Sequence, residues 1–225
     1  VIYGLVLLAA DDAVEWNGMG KGGGDGMRMV AAIRVVGLVV GLPVALLVPA
    51  PAAQSLPYLA GAACVHYAYY ALLLNAYRVG DMSQVYPIAR GISPLLVALL
   101  AAALAGEVLG PLSALAILLL SGGILVLALS GGRFNRPAVA FALLTGVAIS
   151  GYSFLSGVGI RQSGSLLGYI AWLEIATGLG MGSVALARRR SAVVDFIRGQ
   201  WRAGLAAGLL SVVGYGIALW AMSVL

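Results

Sequence analysis

Long apolar runs, broken by short clusters of Gly, Pro and charge, fill this chain. A bilayer core of about 30 Å takes about 20 apolar residues per helix. The breaks divide the chain into about eight such spans, roughly 1–20, 29–48, 57–76, 82–104, 109–129, 138–160, 165–187 and 203–225. Strand-like alternation, which a membrane barrel requires, is missing. The pattern therefore predicts an all-α, polytopic transmembrane helical bundle. Val1 to Ala10 is followed by Asp11, with neither an initiator Met nor a basic stretch before it, so it reads as the start of a first helix and not as a signal peptide.

Composition agrees with that pattern: 62% of residues are hydrophobic, 9% are charged and the mean hydropathy is +1.03, outside the range of ordinary soluble domains. Cys64 is the lone cysteine and cannot form an internal disulfide, and with His66 as the single histidine there is no ligand set for a structural zinc. No metal or cofactor is expected. The net charge of +5 sits mostly in the breaks between spans, where it reads as a topology signal and not as a nucleic-acid footprint. On alternate breaks, Lys21, Arg28, Arg78, Arg133, Arg136, Arg188, Arg189, Arg190, Arg198 and Arg202 fall on one side and Arg161 alone on the other. The first side is expected to be cytoplasmic, including the Arg-rich segments 131–136 and 188–202.

Ionisable groups within spans are the first candidates for function, because each costs on the order of 3 kcal/mol at mid-membrane unless a partner or a wet cavity receives it. Arg90 lies about 12 Å along the fourth span at 1.5 Å per residue, on a stripe with Ser83, Tyr86, Pro87, Ser93 and Pro94. It is a candidate for substrate contact or gating, against a structural ion pair or snorkelling. Glu174, near the middle of the seventh span with Trp172 close by and Thr177 on its own face, is a candidate to pair with Arg90 or to exchange a proton. Asp11, Asp12 and Glu15 form a second acidic group; Asp11 and Glu15 share a face, and Glu15 is the other candidate for proton coupling. His66, Tyr70 and Tyr77 share a stripe in the third span beside Tyr67 and Tyr69, which fits either a π-lined pocket or helix packing. Two GxxxG spacings, Gly37 with Gly41 and Gly204 with Gly208, read as close helix packing with no chemistry of their own.

Tyr70-x-x-x-Leu74-Asn75-Ala76 is echoed by Tyr215-x-x-x-Leu219-Trp220-Ala221 at an offset of 145 residues. The echo puts the third and eighth spans in equivalent places of two five-helix units, and an odd number of helices per unit makes the units inverted. The stretch AYRVGDMSQVYPIARG from Ala76 to Gly91, the SPLLVALLAAALAGEVLG run with its Gly106-Glu107 turn, and the Gly-rich helix that follows resemble EamA-like members of the drug/metabolite transporter superfamily. Further echoes are Trp16-Asn17 with Lys21-Gly22-Gly23, Tyr169 to Glu174, and Gly214-Tyr215 to Trp220-Ala221. The resemblance implies ten helices in two inverted repeats around a central cavity open alternately to each side. This chain departs from that plan in the acidic group of its first span and in a second unit of three spans. The implied domains are a first repeat over 1–130 and an incomplete second repeat over 137–225, with the last two helices lacking.

Together these readings lead to the expectation of a secondary transporter, not an enzyme, that moves a small metabolite or drug-like molecule across an inner membrane. Its partners are that small-molecule substrate, the lipid bilayer and, as a possibility, a second copy in a homodimer. The expected substrate-binding or gating set is Arg90, Glu174, Tyr86, Tyr70, His66, Trp16, Asn17, Trp172 and Tyr215. No GxxxxGK[ST] loop is present to bind ATP, which leaves a gradient or exchange as the energy source. Two alternatives are a non-transporting membrane partner subunit and a membrane-embedded enzyme. The second lacks an HExxH pair, a Gly-x-Ser-x-Gly elbow or any cluster of nucleophile and base.

Overall fold

The computed structural model of the chain describes residues 25–106, 110–129 and 135–224. The expected first span, with Asp11, Asp12, Glu15, Trp16 and Asn17, lies outside the described residues. The helices are α1 (Asp25–Leu47), α2 (Leu56–Val79), entered through a short 3-10 turn (Ala53–Ser55), α3 (Met82–Ala105), α4 (Pro111–Leu129), α5 (Arg136–Arg161) and α6 (Leu166–Val224). There is no strand among the described residues. Three helical segments, Ala53–Val79, Gln84–Ala105 and Arg136–Arg161, are long and apolar enough to cross a membrane. At that level the all-α membrane class holds.

Local chemistry explains where these helices begin and end. Asn135 caps α5, its side-chain oxygen accepting from the Ala138 N–H at 3.5 Å, and its amide donates to the Val79 carbonyl at the end of α2. Ser165 caps α6 by accepting from the Gly168 N–H at 3.1 Å. Gly106 closes α3 as a glycine C-cap in the left-handed region at φ 69°. Pro43, Pro87 and Pro94 sit inside α1 and α3 without ending them.

If straight, the 59 residues of α6 would extend about 88 Å at 1.5 Å per residue. They double back instead. The Ile170 side chain packs on Gly216, Arg34 bonds both Glu174 and Ser211, and Gly178 and Gly208 both pack on α1, against Arg34 and Leu38 and against Val36. The positions brought together, 170 with 216, 174 with 211 and 178 with 208, share a midpoint near Val193. Two antiparallel arms therefore meet there in a helical hairpin. The sequence pattern predicts spans 165–187 and 203–225 joined by a loop. The arms fall within those spans, and helical backbone extends past both of them towards the reversal near Val193. Residues 188–200 contain no proline and a single glycine, Gly199, so little in the segment opposes helix.

Packing divides the described residues into two compact units. One unit joins the chain up to Ala63 with the chain from Leu155 onward. In it α1 runs antiparallel to the first arm of α6, with Gly41 against Ala171 and Gly178 against Arg34. At its other end the Ala52 N–H donates to the Ser163 carbonyl at 2.8 Å. The second unit, Cys64–Phe154, packs Ala76, Val85, Ile88, Ala138 and Ala142 into a small core flanked by Tyr77, Val139 and Phe141. There Gly146 lies against Ala89, and the Ser150 hydroxyl donates to the Ser93 carbonyl at 3.1 Å. In lipid no hydrophobic drive pulls helices together, so close approach at such small residues does that work.

The hairpin is testable by cross-linking. An Ile170→Cys, Gly216→Cys pair in a Cys64→Ser background is expected to be bridged by a short bis-maleimide, so that the arms stay joined after protease cleavage at a site introduced near Val193. A straight α6 would hold the two positions about 69 Å apart and give no bridge.

Candidate functional site

The first unit is organised around one cation. Arg34, ten residues into α1, is buried and reaches both arms of α6. Its Nη1 donates to Glu174 Oε2 at 3.1 Å and to the Thr177 hydroxyl at 3.4 Å, and its Nη2 donates to the Ser211 hydroxyl at 3.3 Å. The two charged side chains are each 4% exposed. Thr177 in turn donates to the Leu173 carbonyl one turn back at 2.8 Å, which fixes its hydroxyl so that a lone pair faces the guanidinium.

The neighbouring glycines make the pair possible. A Cβ on Gly37 would run into Glu174 Oε2, and one on Gly41 would lie 3.4 Å from the Glu174 Cβ. The first GxxxG spacing thus does pack helices as expected, and Gly37 also leaves the volume that the carboxylate occupies. Gly178 is equally constrained, since a Cβ there would come 2.7 Å from the Arg34 carbonyl oxygen and 2.8 Å from the Leu38 Cβ. Gly208 brings the second arm onto Val36, and Ser211 comes with it.

Chemically the arrangement holds one positive and one negative group in a space with little water. Removing either charge leaves the other buried, which is far more costly than losing an exposed pair. A proton delivered to Glu174, or an anion that competes for the guanidinium, would therefore change how strongly α1 is held to α6.

The remaining candidates fall as follows. Glu174 is the central acid of the first unit, where its partner is Arg34. Thr177 shares its face as read. Trp172 is 43% exposed. Tyr215, on the second arm, shares a hydrogen bond of 3.1 Å with Ser156 of α5. In the second unit Arg90 is half-buried, with its guanidinium carbon 5.6 Å from the centre of the Tyr86 ring. His66 stacks on Tyr152 at 3.8 Å between ring centres, with Tyr69 and Tyr70 packed beside it, and all four are buried. These rings fill space against one another. Tyr77 belongs instead to the apolar core around Ala76. Cys64 is a free, exposed thiol, and no group of three metal-ligating side chains occurs among the described residues.

Arg34 and Ser211 are absent from the residues picked out by sequence. Arg34 carried a usable signal, because it sits six positions into the expected second span, where the cost argument that singles out Arg90 applies with equal force. Ser211 carried none, since a serine in a membrane helix commonly bonds its own backbone. The chain matches no family model, no curated protein and no solved structure.

A double-mutant cycle measures the pair. Arg34→Met and Glu174→Leu are each expected to destabilise the protein by about 3–5 kcal/mol in detergent unfolding, and the double variant by less than either alone. Additive losses would mean that the two side chains do not act as a unit.

Proposed function

We propose that this protein is a secondary transporter of the drug/metabolite type, which binds a small molecule and alternates access across an inner membrane. The observation that carries this reading is the buried Arg34–Glu174 pair, held between α1 and both arms of α6 in a chain whose helices are apolar enough for lipid. Intramembrane charges are costly, and in helical membrane proteins they characteristically mark substrate or ion pathways. The AYR-GD, VYP-ARG and Gly-Glu motifs support the same reading by resemblance.

In this proposal Glu174 is the coupling residue. Protonation neutralises it, weakens its hold on Arg34 and lets α1 move relative to the α6 hairpin. Substrate then exchanges while the pair is open, and deprotonation closes it. Arg90 with Tyr86 supplies a second cationic group for substrate contact or gating. In this reading each arm of α6 forms one membrane crossing, beside the three helical segments long and apolar enough to cross. The Arg-rich segments 131–136 and 188–202 face the cytoplasm under the positive-inside rule.

Uptake and efflux of a metabolite panel by vesicles holding the protein test this directly. Solute is expected to cross chemically unchanged. Glu174→Gln is expected to lower gradient-driven flux at least about tenfold, the loss of about 1.4 kcal/mol of coupling, and to abolish its dependence on an imposed pH gradient. Arg90→Ala is expected to weaken substrate affinity while that pH dependence survives. Full pH-driven flux in Glu174→Gln would remove Glu174 from the coupling role, and chemical conversion of the solute would favour an enzyme.

A further inference from the structure

We propose that the ligand of the Arg34 site is a carboxylate-bearing molecule, which takes the place of the Glu174 carboxylate on the guanidinium while Glu174 takes up a proton. This assignment rests on the transporter reading of the site and names the substrate class it would carry. A guanidinium that faces a carboxylate squarely makes two parallel hydrogen bonds. Here Glu174 receives one, from Nη1 to Oε2 at 3.1 Å, while Nη2 is turned to the Ser211 hydroxyl at 3.3 Å on the other arm. Glu174 thus uses half of the bonding that a guanidinium offers a carboxylate. A ligand carboxylate that engages both Nη groups gains the bond that Glu174 leaves unmade.

Burial selects the class of ligand. Both charged side chains are 4% exposed, so any change in the total charge of the site is costly. A singly charged carboxylate that arrives as one proton reaches Glu174 leaves that total as it is in the closed structure. A cationic ligand would instead meet Arg34 at close range, and a neutral one offers the guanidinium no charge in exchange for that of Glu174. Shape points the same way. A Cβ on Gly37 would run into Glu174 Oε2, so the space beside the guanidinium is fitted to a flat carboxylate and is tight for a tetrahedral phosphate. Among the described residues the charged group facing Glu174 is Arg34, from α1. The first arm adds the neutral Thr177 and the second arm Ser211, with the Tyr215 hydroxyl one turn further on and bonded to Ser156. The proton therefore has one acceptor at this level, the Glu174 carboxylate, and it returns to water when the ligand leaves and the Arg34 pair closes again.

Equilibrium binding of labelled benzoate to the detergent-solubilised full chain tests this, with acetate, benzamide and inorganic phosphate as competitors. Benzoate is expected to bind and to be displaced by acetate but not by benzamide, which has the same shape without the charge. Its apparent Kd is expected to rise up to about tenfold per unit of rising pH, the slope for uptake of one proton. Glu174→Gln removes the resident carboxylate and is expected to bind benzoate at least about tenfold more tightly at alkaline pH, with the pH dependence gone. Because that variant leaves Arg34 buried without its carboxylate, benzoate is also expected to raise its unfolding temperature. Ser211→Ala is expected to weaken binding several-fold and Arg34→Met to abolish it. A gain in affinity is an outcome that a merely damaged fold does not produce. Binding unchanged, weaker or absent in Glu174→Gln, or equal competition by benzamide, would overturn the proposal, and stronger competition by phosphate than by acetate would overturn it in favour of a phosphate ligand. Carboxylate binding of this kind with no flux of any solute in vesicles would sink the transporter reading alone. Flux of neutral or cationic solutes driven by a pH gradient, with no carboxylate bound, would sink this proposal alone.

Discussion

A charge inside a bundle that faces lipid must find its counter-charge within the protein, and in this chain that requirement falls on Arg34 and Glu174. The pair is the point from which the first unit can be reasoned out. One guanidinium reaches Glu174 and Thr177 on one arm of α6 and Ser211 on the other, so α1 and both arms converge at one level. That level fixes the register of three helical segments at once. A slip of α1 by one turn, about 5.4 Å, would move the guanidinium out of hydrogen-bond reach of all three partners.

Glycine makes the convergence sterically possible. Gly37, Gly41 and Gly178 let α1 approach the first arm closely, and Gly208 lets the second arm reach Val36. Gly37 goes further, because the space its missing side chain leaves is the space the Glu174 carboxylate fills. Packing and electrostatics are therefore one constraint here. A larger residue at Gly37 disturbs the ion pair even though it carries no charge.

Hydropathy made most of the helices legible, because the length of an apolar run is set by the bilayer and not by tertiary context. α2 (Leu56–Val79), α3 (Met82–Ala105) and α5 (Arg136–Arg161) fall within a few residues of their expected limits. Helix extends further into the Arg-rich segment after position 187 than its polarity suggests, because polarity says nothing about backbone geometry. In the site, Glu174 and Thr177 could be read from depth and helical spacing. That Arg34 is a partner could not, since the distance in sequence between Arg34 and Glu174 is 140 residues and only the packing of α1 on α6 brings them together. The aromatic stripe was ambiguous for a related reason. The ring that completes the His66 cluster, Tyr152, comes from a helix more than eighty positions away.

Stability alone does not explain why the pair is ionic. Replacing a buried ion pair with apolar groups of matching shape is often neutral or stabilising, since two desolvated charges regain little more than they lost on leaving water. A Leu and a Met between α1 and α6 would hold the helices together, though the Thr177 and Ser211 hydroxyls would lose the donor they share. The two apolar side chains would not, however, respond to anything. A carboxylate can be neutralised by one proton and a guanidinium can be claimed by another anion, and either event changes the energy of the closed arrangement by much more than repacking a methyl group. Such a responsive contact, placed where three helical segments share a single register, is the physical argument for reading this ion pair as a switch and not as a rivet.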